Sequence, residues 1–335
     1  MTTSPAISVV IVSWQSGQEL LRCVASLADA RRLAKASGLA VSLVVVDNAS
    51  ATFPGDDLRT IWPDIVMHLN TSNLGFAAAA NQGARLATAG LLLFLNPDTV
   101  AVGDPFTPLA SAAQTVPHAV AFAPRLLQDE TPEHETQEEF QLRHLPTFGQ
   151  VVREQLLVDR LLPHGRFRRA DRYADADRSA PFAVEQPAAS ALAIRRELFL
   201  AIGGFDEGFF PAWFEDVDLC ARLRRHGSIL FWPASVFRHT GGVSSVTLGY
   251  DFFLPAYYRN AFRYWRKHHG AVPAGAYRAL LAIGMALRLM LLPLRPSVPR
   301  SRRDAARAYW RVLLASVGLD GSLRRVAAEV RQITG

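Results

Sequence analysis

Residues 91–99 read LLLFLNPDT, and the fold can be worked out from this stretch. Its first five residues are apolar without alternation, which is the pattern of a strand buried on both faces in a parallel sheet. Pro97 cannot extend a hydrogen-bonded ladder, so the strand ends there, and Asp98 follows at the sheet edge where open α/β sheets bind ligands. Asn96, Pro97 and Asp98 also suit an ordinary turn, so both interpretations are open at this point.

Composition indicates a globular protein. The chain has 335 residues, half of them hydrophobic, enough for one large domain or two ordinary ones. The two cysteines, Cys23 and Cys220, are too few for a disulfide framework and lie in apolar helical patterns, which favours a reducing compartment. No basic residue precedes the short N-terminal apolar run, so we expect no signal peptide and a cytoplasmic protein.

The positive charge is concentrated in the C-terminal part. Residues 259–335 contain 15 Lys or Arg against three acidic residues, whereas residues 1–258 contain 21 basic against 27 acidic residues. A basic tail on a slightly acidic remainder points to an anionic surface such as a membrane or nucleic acid.

Strands and helices are predicted to alternate before the opening stretch. Residues 7–12 (ISVVIV), 41–46 (VSLVVV) and 65–69 (IVMHL) predict strands, and residues 76–88 predict a helix leading into residue 91. Alternation with short links implies a right-handed, mostly parallel sheet flanked by helices, which is an α/β fold.

Polar residues follow three of the predicted strands: Ser13, Asp47 and Asp98. They are expected to meet at one sheet edge, as in a nucleotide site. The chain contains neither G-x-G-x-x-G after its first strand nor G-x-x-x-x-G-K-[ST], which argues against a dinucleotide oxidoreductase and a P-loop enzyme.

Seven motifs occur in a defined order along the chain, and the set is far more specific than any one of them: VVIVSWQSG (9–17), VVVDNAS (44–50), NLGFAAAANQG (73–83), LFLNPDT (93–99), GGFDEGFF (203–210), WFEDVDLCARLRRHG (213–227) and FRHTGG (237–242). Together they resemble the family 2 glycosyltransferases, inverting enzymes of GT-A fold, and most of all the rhamnosyltransferase branch. The resemblance covers about residues 6–270. It implies a GT-A catalytic domain over 1–250, with a nucleotide-sugar half at 1–125 and an acceptor half at 126–250. Residues 251–335 are then a basic helical extension.

The resemblance assigns a donor site to the strand ends. Ser13 and Trp14 are placed there, and Asp47 matches the aspartate that contacts the nucleobase, where a carboxylate can accept the imide N–H of uracil or thymine. Capping the next turn is the alternative role for Asp47.

A second donor segment matches the family pattern N-x-G-x-x-x-x-x-N near the ribose and diphosphate. Its residues here are Asn73, Gly75 and Asn81. Gly75 before a helix would let backbone N–H groups approach phosphate oxygens, although Asn and Gly are also common helix-start residues.

Asn96, Pro97 and Asp98 stand in the place of the family's metal-binding D-x-D. With one carboxylate in the triplet, Mg²⁺ or Mn²⁺ would be held largely by substrate phosphates. His239 matches a histidine that is the other protein ligand in many relatives, although a lone histidine is usually structural.

Asp216 matches the family's catalytic base, and a helix N-terminus would help to keep it ionised. Opposite charges at the two ends of that helix also complement its macrodipole, so Glu215 and Asp218 have a structural explanation as well. The acceptor side of the site is assigned four residues: Ser190, Asp206, Trp213 and Glu215. Residues 126–187 predict a core-facing helix and a solvated loop, or an acceptor-site flap.

The tail begins with an aromatic-rich basic helix at 256–269. Residues 279–294 (ALLAIGMALRLMLLPL) follow, which are interrupted by Arg288 and ended by Pro293, too short and too charged for a confident membrane span. They suit a helix in an anionic bilayer interface, or equally a helix packed on the catalytic domain or in a dimer. A last helical pair is predicted at 304–317 and 322–333.

The expected function is metal-dependent inverting transfer of a sugar from a dTDP- or UDP-sugar to a saccharide or lipid-linked saccharide. The resemblance favours dTDP-rhamnose, cell-envelope polysaccharide synthesis and the inner face of the cytoplasmic membrane; no nucleic-acid partner is expected. A sugar nucleotidyltransferase would want a Gly-rich basic loop after the first strand, which SWQSGQE is not. A non-catalytic basic membrane or nucleic-acid binding protein explains the tail but not the acidic motifs.

Overall fold

A computed structural model describes residues 6–128, 141–161, 171–239, 250–294 and 301–318. The strands are β1 (Ala6–Ser13), β2 (Ala40–Asp47), β3 (Val66–Leu69), β4 (Leu91–Leu95), β5 (Thr99–Ala101), β6 (Ala119–Gln128), β7 (Leu142–Arg143), β8 (Phe182–Val184), β9 (Gln186–Pro187), β10 (Ala191–Arg195) and β11 (Ser228–His239). The helices are α1 (Gly17–Ala36), α2 (Gly55–Ile61), α3 (Phe76–Leu86), α4 (Phe106–Thr115), α5 (Phe148–Gln155), α6 (Val158–Leu161), α7 (Arg196–Ala201), α8 (Glu215–Leu223), α9 (Tyr250–His269), α10 (Ala271–Leu291) and α11 (Arg302–Ser316).

The central sheet has the strand order β3-β2-β1-β4-β10-β6-β11-β5, with β8 beside β11. Strands β1 to β4 are mutually parallel, as the alternation of strands and helices predicts. Strand β10 then inserts antiparallel between β4 and β6, and β6 pairs in parallel with β11. A separate two-stranded ladder joins β7 and β9. The α/β fold class is confirmed.

The opening stretch is a central strand, as predicted. All five residues of β4 are buried, and alternate side chains enter two different cores. Leu91, Leu93 and Leu95 join the core under α1 and α4, while Leu92 and Phe94 join the core under α3 and α7. An apolar run without alternation is what such a two-sided position requires.

The aromatic helix of the tail is longer than predicted, and so is the apolar helix. They run from residue 250 and residue 271, and a 3-10 turn, Leu292–Leu294, contains the Pro293 predicted to end the second one. The stretch Ala271–Leu294 is one described segment long and apolar enough to cross a membrane by length and composition. The length argument against a span, made on 16 residues, was therefore wrong. The predicted acidic segment 129–139 and the helix at 322–333 lie outside the described residues.

A third core joins the tail to the catalytic half. Helices α9, α10 and α11 contribute most of it, and Phe209, Phe214 and Val217 around the start of α8 contribute the rest. The proposed boundary at residue 250 thus coincides with the start of α9, yet the two sides of that boundary share one apolar interior.

A buried carboxylate reinforces this junction. Asp218 in α8 is fully buried; its oxygens accept from Arg222 Nε at 2.8 Å and meet Nζ of Lys267 at 2.7 Å and Nε2 of His268 at 2.8 Å, the last two from α9. Burial alone would raise the pKa of Asp218, but the hydrogen bonds to His268 and Lys267 and the Arg222 charge hold it below its ordinary value. Asp218 is an ionised tie between two helices, which agrees with its structural explanation.

We predict that Asp218→Asn lowers the free energy of unfolding by about 3 kcal/mol, because it removes the compensating charge from a buried ion-pair network. Urea denaturation followed by circular dichroism measures the change. Asp29→Asn is the matched control: its carboxylate is exposed and pairs with Arg32 on the same helix, so the change should stay below about 0.5 kcal/mol. Equal effects in the two variants would contradict the assignment.

Candidate active site

The predicted strand-end residues meet at one edge of the sheet. Ser13 and Asp47 are register partners at the carboxyl ends of β1 and β2, and Asn96 follows β4 beside them. A cavity of about 300 Å³ opens at this edge. Its wall includes Trp14, Ser16, Asn48, Asn73, Phe76, Asn96, Pro97, Ser190, Trp213, Glu215 and Asp216. We call it the strand-end cavity.

One indole in this wall has an unused donor. Nε1 of Trp14 is buried and makes no hydrogen bond to a described residue. A buried N–H without a partner costs free energy, so it is a good candidate to donate to a ligand in the strand-end cavity.

Asn48 is a residue that sequence analysis missed. Its amide donates to Asn73 Oδ1 at 2.9 Å, and its Oδ1 accepts from Asn70 Nδ2 and Leu74 N, both at 3.1 Å. Asn73 Oδ1 in turn accepts from Gly75 N at 2.8 Å. These bonds shape one wall of the strand-end cavity. The only signal in the sequence was the position of Asn48 directly after Asp47.

Asp47 serves the turn that follows it. Its oxygens accept from Ser50 N at 2.8 Å and Ser50 Oγ at 2.6 Å, which is the capping alternative given above. Each oxygen keeps a further lone pair, so a nucleobase contact stays a prediction. Ser13 Oγ is likewise 3.1 Å from Ser16 Oγ.

Asn81 is engaged by protein rather than facing the cavity. Its amide accepts from Phe205 N at 2.9 Å and donates to Phe205 O at 2.9 Å and to Glu207 at 3.0 Å. Gly204, at φ 67°, lies so close to Asn81 that a Cβ would collide with its side chain. The structure thus gives Asn81 the task of holding the 203–207 turn and leaves it no side-chain donor for a phosphate.

Gly75 is required for a different reason from the one predicted. It has φ 83°, and an added Cβ would lie 2.8 Å from the Phe210 ring and 2.9 Å from Pro211 O. This glycine therefore allows the chain to pack closely against residues 210–211. Next to it, Phe76 N donates a hydrogen bond to Pro211 O at 2.8 Å. The start of α3 therefore abuts the segment leading to the predicted base.

Asp98 and His239 are brought together by the sheet. His239 is the register partner of Thr99 in the β5–β11 ladder, and Asp98 Oδ1 lies 3.1 Å from His239 Nε2. Both side chains are nearly buried, and Asp98 Oδ1 accepts no hydrogen bond from a described residue. Two ligand atoms at about 2.1 Å from one octahedral cation lie about 3 Å apart, so this pair fits a shared Mg²⁺ or Mn²⁺. No cluster of three His, Cys, Asp or Glu side chains that could hold a metal ion occurs among the described residues.

A constrained loop presents Glu215 and Asp216. Trp213 and Phe214, directly before α8, both have left-handed backbone conformations, at φ 74° and 71°, which side chains other than glycine rarely adopt. Asn260 of α9 is fully buried and its amide donates to Ala212 O at 2.8 Å, Trp213 O at 3.1 Å and Phe210 O at 3.3 Å. The tail thus holds the loop that positions the predicted base. Sequence analysis missed Asn260, which lies far from every motif.

The two carboxyl groups differ in electrostatics. Burial and the neighbouring Asp216 charge raise the pKa of Glu215 well above its ordinary value. Burial also raises the pKa of Asp216, but the Arg143 charge and the N–H groups of Val217, Ala189 and Asp216 itself oppose this. Gln186 Nε2 adds a hydrogen bond at 3.2 Å to Asp216 Oδ2. Ionisation is therefore opposed more strongly at Glu215 than at Asp216, so Asp216 is the better candidate for the ionised group that a base requires.

A second cavity, of about 630 Å³, meets the first at three residues. Trp213, Glu215 and Asp216 line both cavities. We call the second one the helix cavity, because α5, α9, α10 and α11 form much of its wall. Asp216 thus stands on the wall that two ligands could approach from opposite sides.

The four predicted acceptor-side residues separate into two groups. Trp213 and Glu215 line both cavities, and Ser190 lines the strand-end cavity. Asp206 lines neither; it meets Arg263 at 3.0 Å and Lys267 at 2.7 Å. Burial would raise the pKa of Asp206, but Lys267, the Gly208 N–H and Arg263 lower it to about 2. The structure makes Asp206 a second tie to α9 instead.

Residues 8–174 match the family described as Glycosyl transferase family 2. The chain belongs to that family, so it is a glycosyltransferase, and the nucleotidyltransferase and non-catalytic alternatives are wrong.

One relative and two solved structures are similar to this chain. The chain is 26% identical over 316 residues to the N-acetylglucosaminyl-diphospho-decaprenol L-rhamnosyltransferase of Mycobacterium tuberculosis, covering 89% of this chain and 95% of that protein. The fold of this chain is similar to that of the mannosyltransferase PcManGT of Pyrobaculum calidifontis, which was solved with GDP-Man and Mn²⁺. The TM-score is 0.52 and the identity 16%, over 98% of this chain and 85% of that one. The fold also matches GalNAc-T7, solved with UDP, GalNAc and Mn²⁺, with TM-score 0.51 and 18% identity over 82% and 53% of the respective chains.

We predict that Arg143→Gln moves the acid limb of the kcat–pH profile to higher pH. The charge on Arg143 lowers the pKa of Asp216, so its removal leaves Asp216 protonated up to a higher pH, and a protonated base cannot act. Initial rates at saturating substrates between pH 5 and about 9 measure the shift. Arg59→Gln, an exposed change in α2 outside both cavities, should leave the profile unchanged. An acid limb that stays in place in Arg143→Gln would contradict this electrostatic role.

Proposed function

We propose that the chain transfers rhamnose from dTDP-rhamnose, with inversion, to a hydroxyl of a lipid-linked saccharide used in cell-envelope polysaccharide synthesis. The observation that carries this proposal is the position of Asp216 on the wall shared by the strand-end cavity and the helix cavity. The donor and acceptor are suggested by the mycobacterial relative, whose name specifies an L-rhamnosyltransferase acting on an N-acetylglucosaminyl-diphospho-decaprenol.

In the proposed reaction the strand-end cavity holds the nucleoside diphosphate sugar. Asp216 takes the proton of the acceptor hydroxyl while that oxygen forms a bond to the anomeric carbon, and the bond to the diphosphate breaks with its electron pair leaving on the diphosphate. Burial and the Asp216 charge oppose ionisation of Glu215 beside it, which disfavours a second negative charge near the incoming oxygen. Asp98 and His239 are the residues that would hold Mg²⁺ or Mn²⁺. A bound cation would offset the charge of the departing diphosphate.

We predict that Asp216→Asn keeps donor binding and lowers kcat by about 10²- to 10⁴-fold, since it removes only the general base. Thermal melting with Mn²⁺ and a panel of dTDP-, UDP- and GDP-sugars measures binding. Ligand at about 100 times its Kd adds about 2.7 kcal/mol, which raises Tm by a few degrees. The rise is expected with dTDP-rhamnose in wild type and Asp216→Asn and lost in Asp98→Ala. A rise with a GDP-sugar alone, or none in folded wild type, would refute the proposed donor.

The tail is proposed to contact an anionic bilayer from the cytoplasmic side. Every exposed residue of the stretch Ala271–Leu294 is apolar, among them Val272, Ile283, Met290 and Leu294, which are 50 to 83% exposed. Helix α11 packs against α10 through the third core and exposes arginines and Trp310. A one-sided apolar stripe beside arginines and an aromatic side chain is typical of a helix lying in a membrane interface. The opposite face of α10 is buried against protein, which favours lying on the membrane over spanning it.

We predict that the double change Ile283→Glu and Met290→Glu lowers binding to phosphatidylglycerol vesicles at least about tenfold, because each apolar side chain gains about 1.5–3 kcal/mol on burial. Co-sedimentation measures it. Leu33→Glu, an equally exposed leucine on α1, is the control and should bind as wild type. Unchanged vesicle binding in the double variant, with gel filtration showing a smaller assembly, would instead assign this stripe to a second copy of the chain.

A further inference from the structure

Most of the residues that line the helix cavity have no role in the proposed reaction. This cavity is about twice the volume of the strand-end cavity, at about 630 against 300 Å³. Its wall combines β7 and α5 with the C-terminal helices. Strand β7 and helix α5 belong to residues 126–187, for which an acceptor-site flap is one of the two predicted alternatives. Eight aromatic side chains line it: Trp213, Phe214, Tyr250, Tyr257, Tyr258, Trp265, Tyr277 and Tyr309.

Polar groups cluster where this cavity reaches Asp216. Burial raises the pKa of the Tyr257 phenol, and Glu154, Arg143 and Asp216 lie close enough to influence it. The Arg143 Nε is buried and makes no hydrogen bond to a described residue. Glu154 Oε1 accepts from the Tyr258 hydroxyl at 2.9 Å and from Gln155 Nε2 at 3.3 Å, while the side chain as a whole is exposed and no described residue donates a hydrogen bond to its Oε2. Donors and acceptors with spare capacity therefore surround the base on this side.

The charges in the wall nearly cancel. Four basic side chains, Arg143, His144, Arg172 and Arg288, face five acidic ones, Glu154, Asp159, Asp171, Glu215 and Asp216. Arg288 is itself buried and donates to Glu154 O at 2.9 Å and to Gln155 O at 3.3 Å. Its guanidinium group is therefore largely engaged in hydrogen bonds within the protein. A binding site for a diphosphate would be expected to have an excess of unpaired positive charge. Aromatic faces with balanced hydrogen-bonding groups instead suit a neutral sugar ring, whose C–H faces are apolar and whose rim is polar.

We infer that the helix cavity is the binding site of the acceptor sugar ring, with Tyr257 and Glu154 as specificity-determining residues that bind its hydroxyl or amide groups beside Asp216. The diphosphate and lipid of the acceptor lie outside this cavity. The inference rests on the proposed function for the class of acceptor. The C-terminal helices then take a direct part in the choice of acceptor, through Tyr257 of α9 and Tyr277 of α10.

Equilibrium binding without a donor tests the inference. The probes are N-acetylglucosaminyl diphosphate on a short prenyl chain, and the same prenyl diphosphate without the sugar. Wild type should bind the first probe more tightly. Tyr257→Phe should weaken only the sugar-bearing probe, by about 2- to 10-fold for one neutral hydrogen bond, and Glu154→Gln by about 10- to 100-fold for a charged one. Glu197→Gln, an exposed change on α7 outside both cavities, is the control and should bind as wild type.

The outcomes separate the inference from the proposed function. Unchanged affinity for the sugar-bearing probe in both variants, or no preference of wild type for that probe, would overturn the inference. Binding of dTDP by each variant shows that the strand-end cavity is intact and the protein folded. Sugar-selective binding that both variants weaken, in a wild type that transfers no rhamnose, would refute the proposed reaction and leave the helix cavity assigned.

Discussion

The buried amide of Asn260 holds the loop that leads to the proposed base, Asp216. Asn260 holds three carbonyl oxygens of the 210–213 segment, and that segment runs directly into the left-handed pair Trp213 and Phe214. Two non-glycine residues in this conformation cost a few kcal/mol together, so surrounding contacts must enforce them. Because α8 starts from this loop, the direction in which Asp216 faces depends on a residue of the tail. The catalytic half and the tail are therefore one functional unit.

The arrangement also explains why two adjacent carboxyl groups are useful. Glu215 and Asp216 are adjacent and largely removed from solvent, and placing two negative charges on such a pair is unfavourable. Arg143, Gln186 and backbone N–H groups stabilise the charge on Asp216, while Glu215 has only its own backbone to help it. This difference favours Asp216 over Glu215 as the ionised group, which supports the proposed role of Asp216 as the base.

Sequence alone was sufficient for the parts that depend on local pattern. The unbroken apolar run of β4 predicted a strand between two cores, and polar residues after β1, β2 and β4 predicted one sheet edge. The roles of Asn81 and Gly75 were less accessible, because the same residue types suit a phosphate, a turn or close packing. Arg143, Gln186 and Asn260 could not be found, since their segments carry no periodic signal and reach Asp216 only through tertiary packing.

Helix α10 has two working faces, and their combination bears on how a lipid-bound substrate is reached. Removing a hydrocarbon chain from a bilayer costs about 0.8 kcal/mol per CH₂, so lifting even ten carbons into water would cost about 8 kcal/mol. The same helix places an apolar stripe outward and Tyr277 and Arg288 inward, in the wall of the helix cavity. If the outer face lies on the membrane as proposed, the sugar of a lipid-linked acceptor would need to travel only about the width of one helix to reach the cavity wall, while its tail stays dissolved in the bilayer. The search for substrate then becomes lateral diffusion in two dimensions, and no extraction step is required.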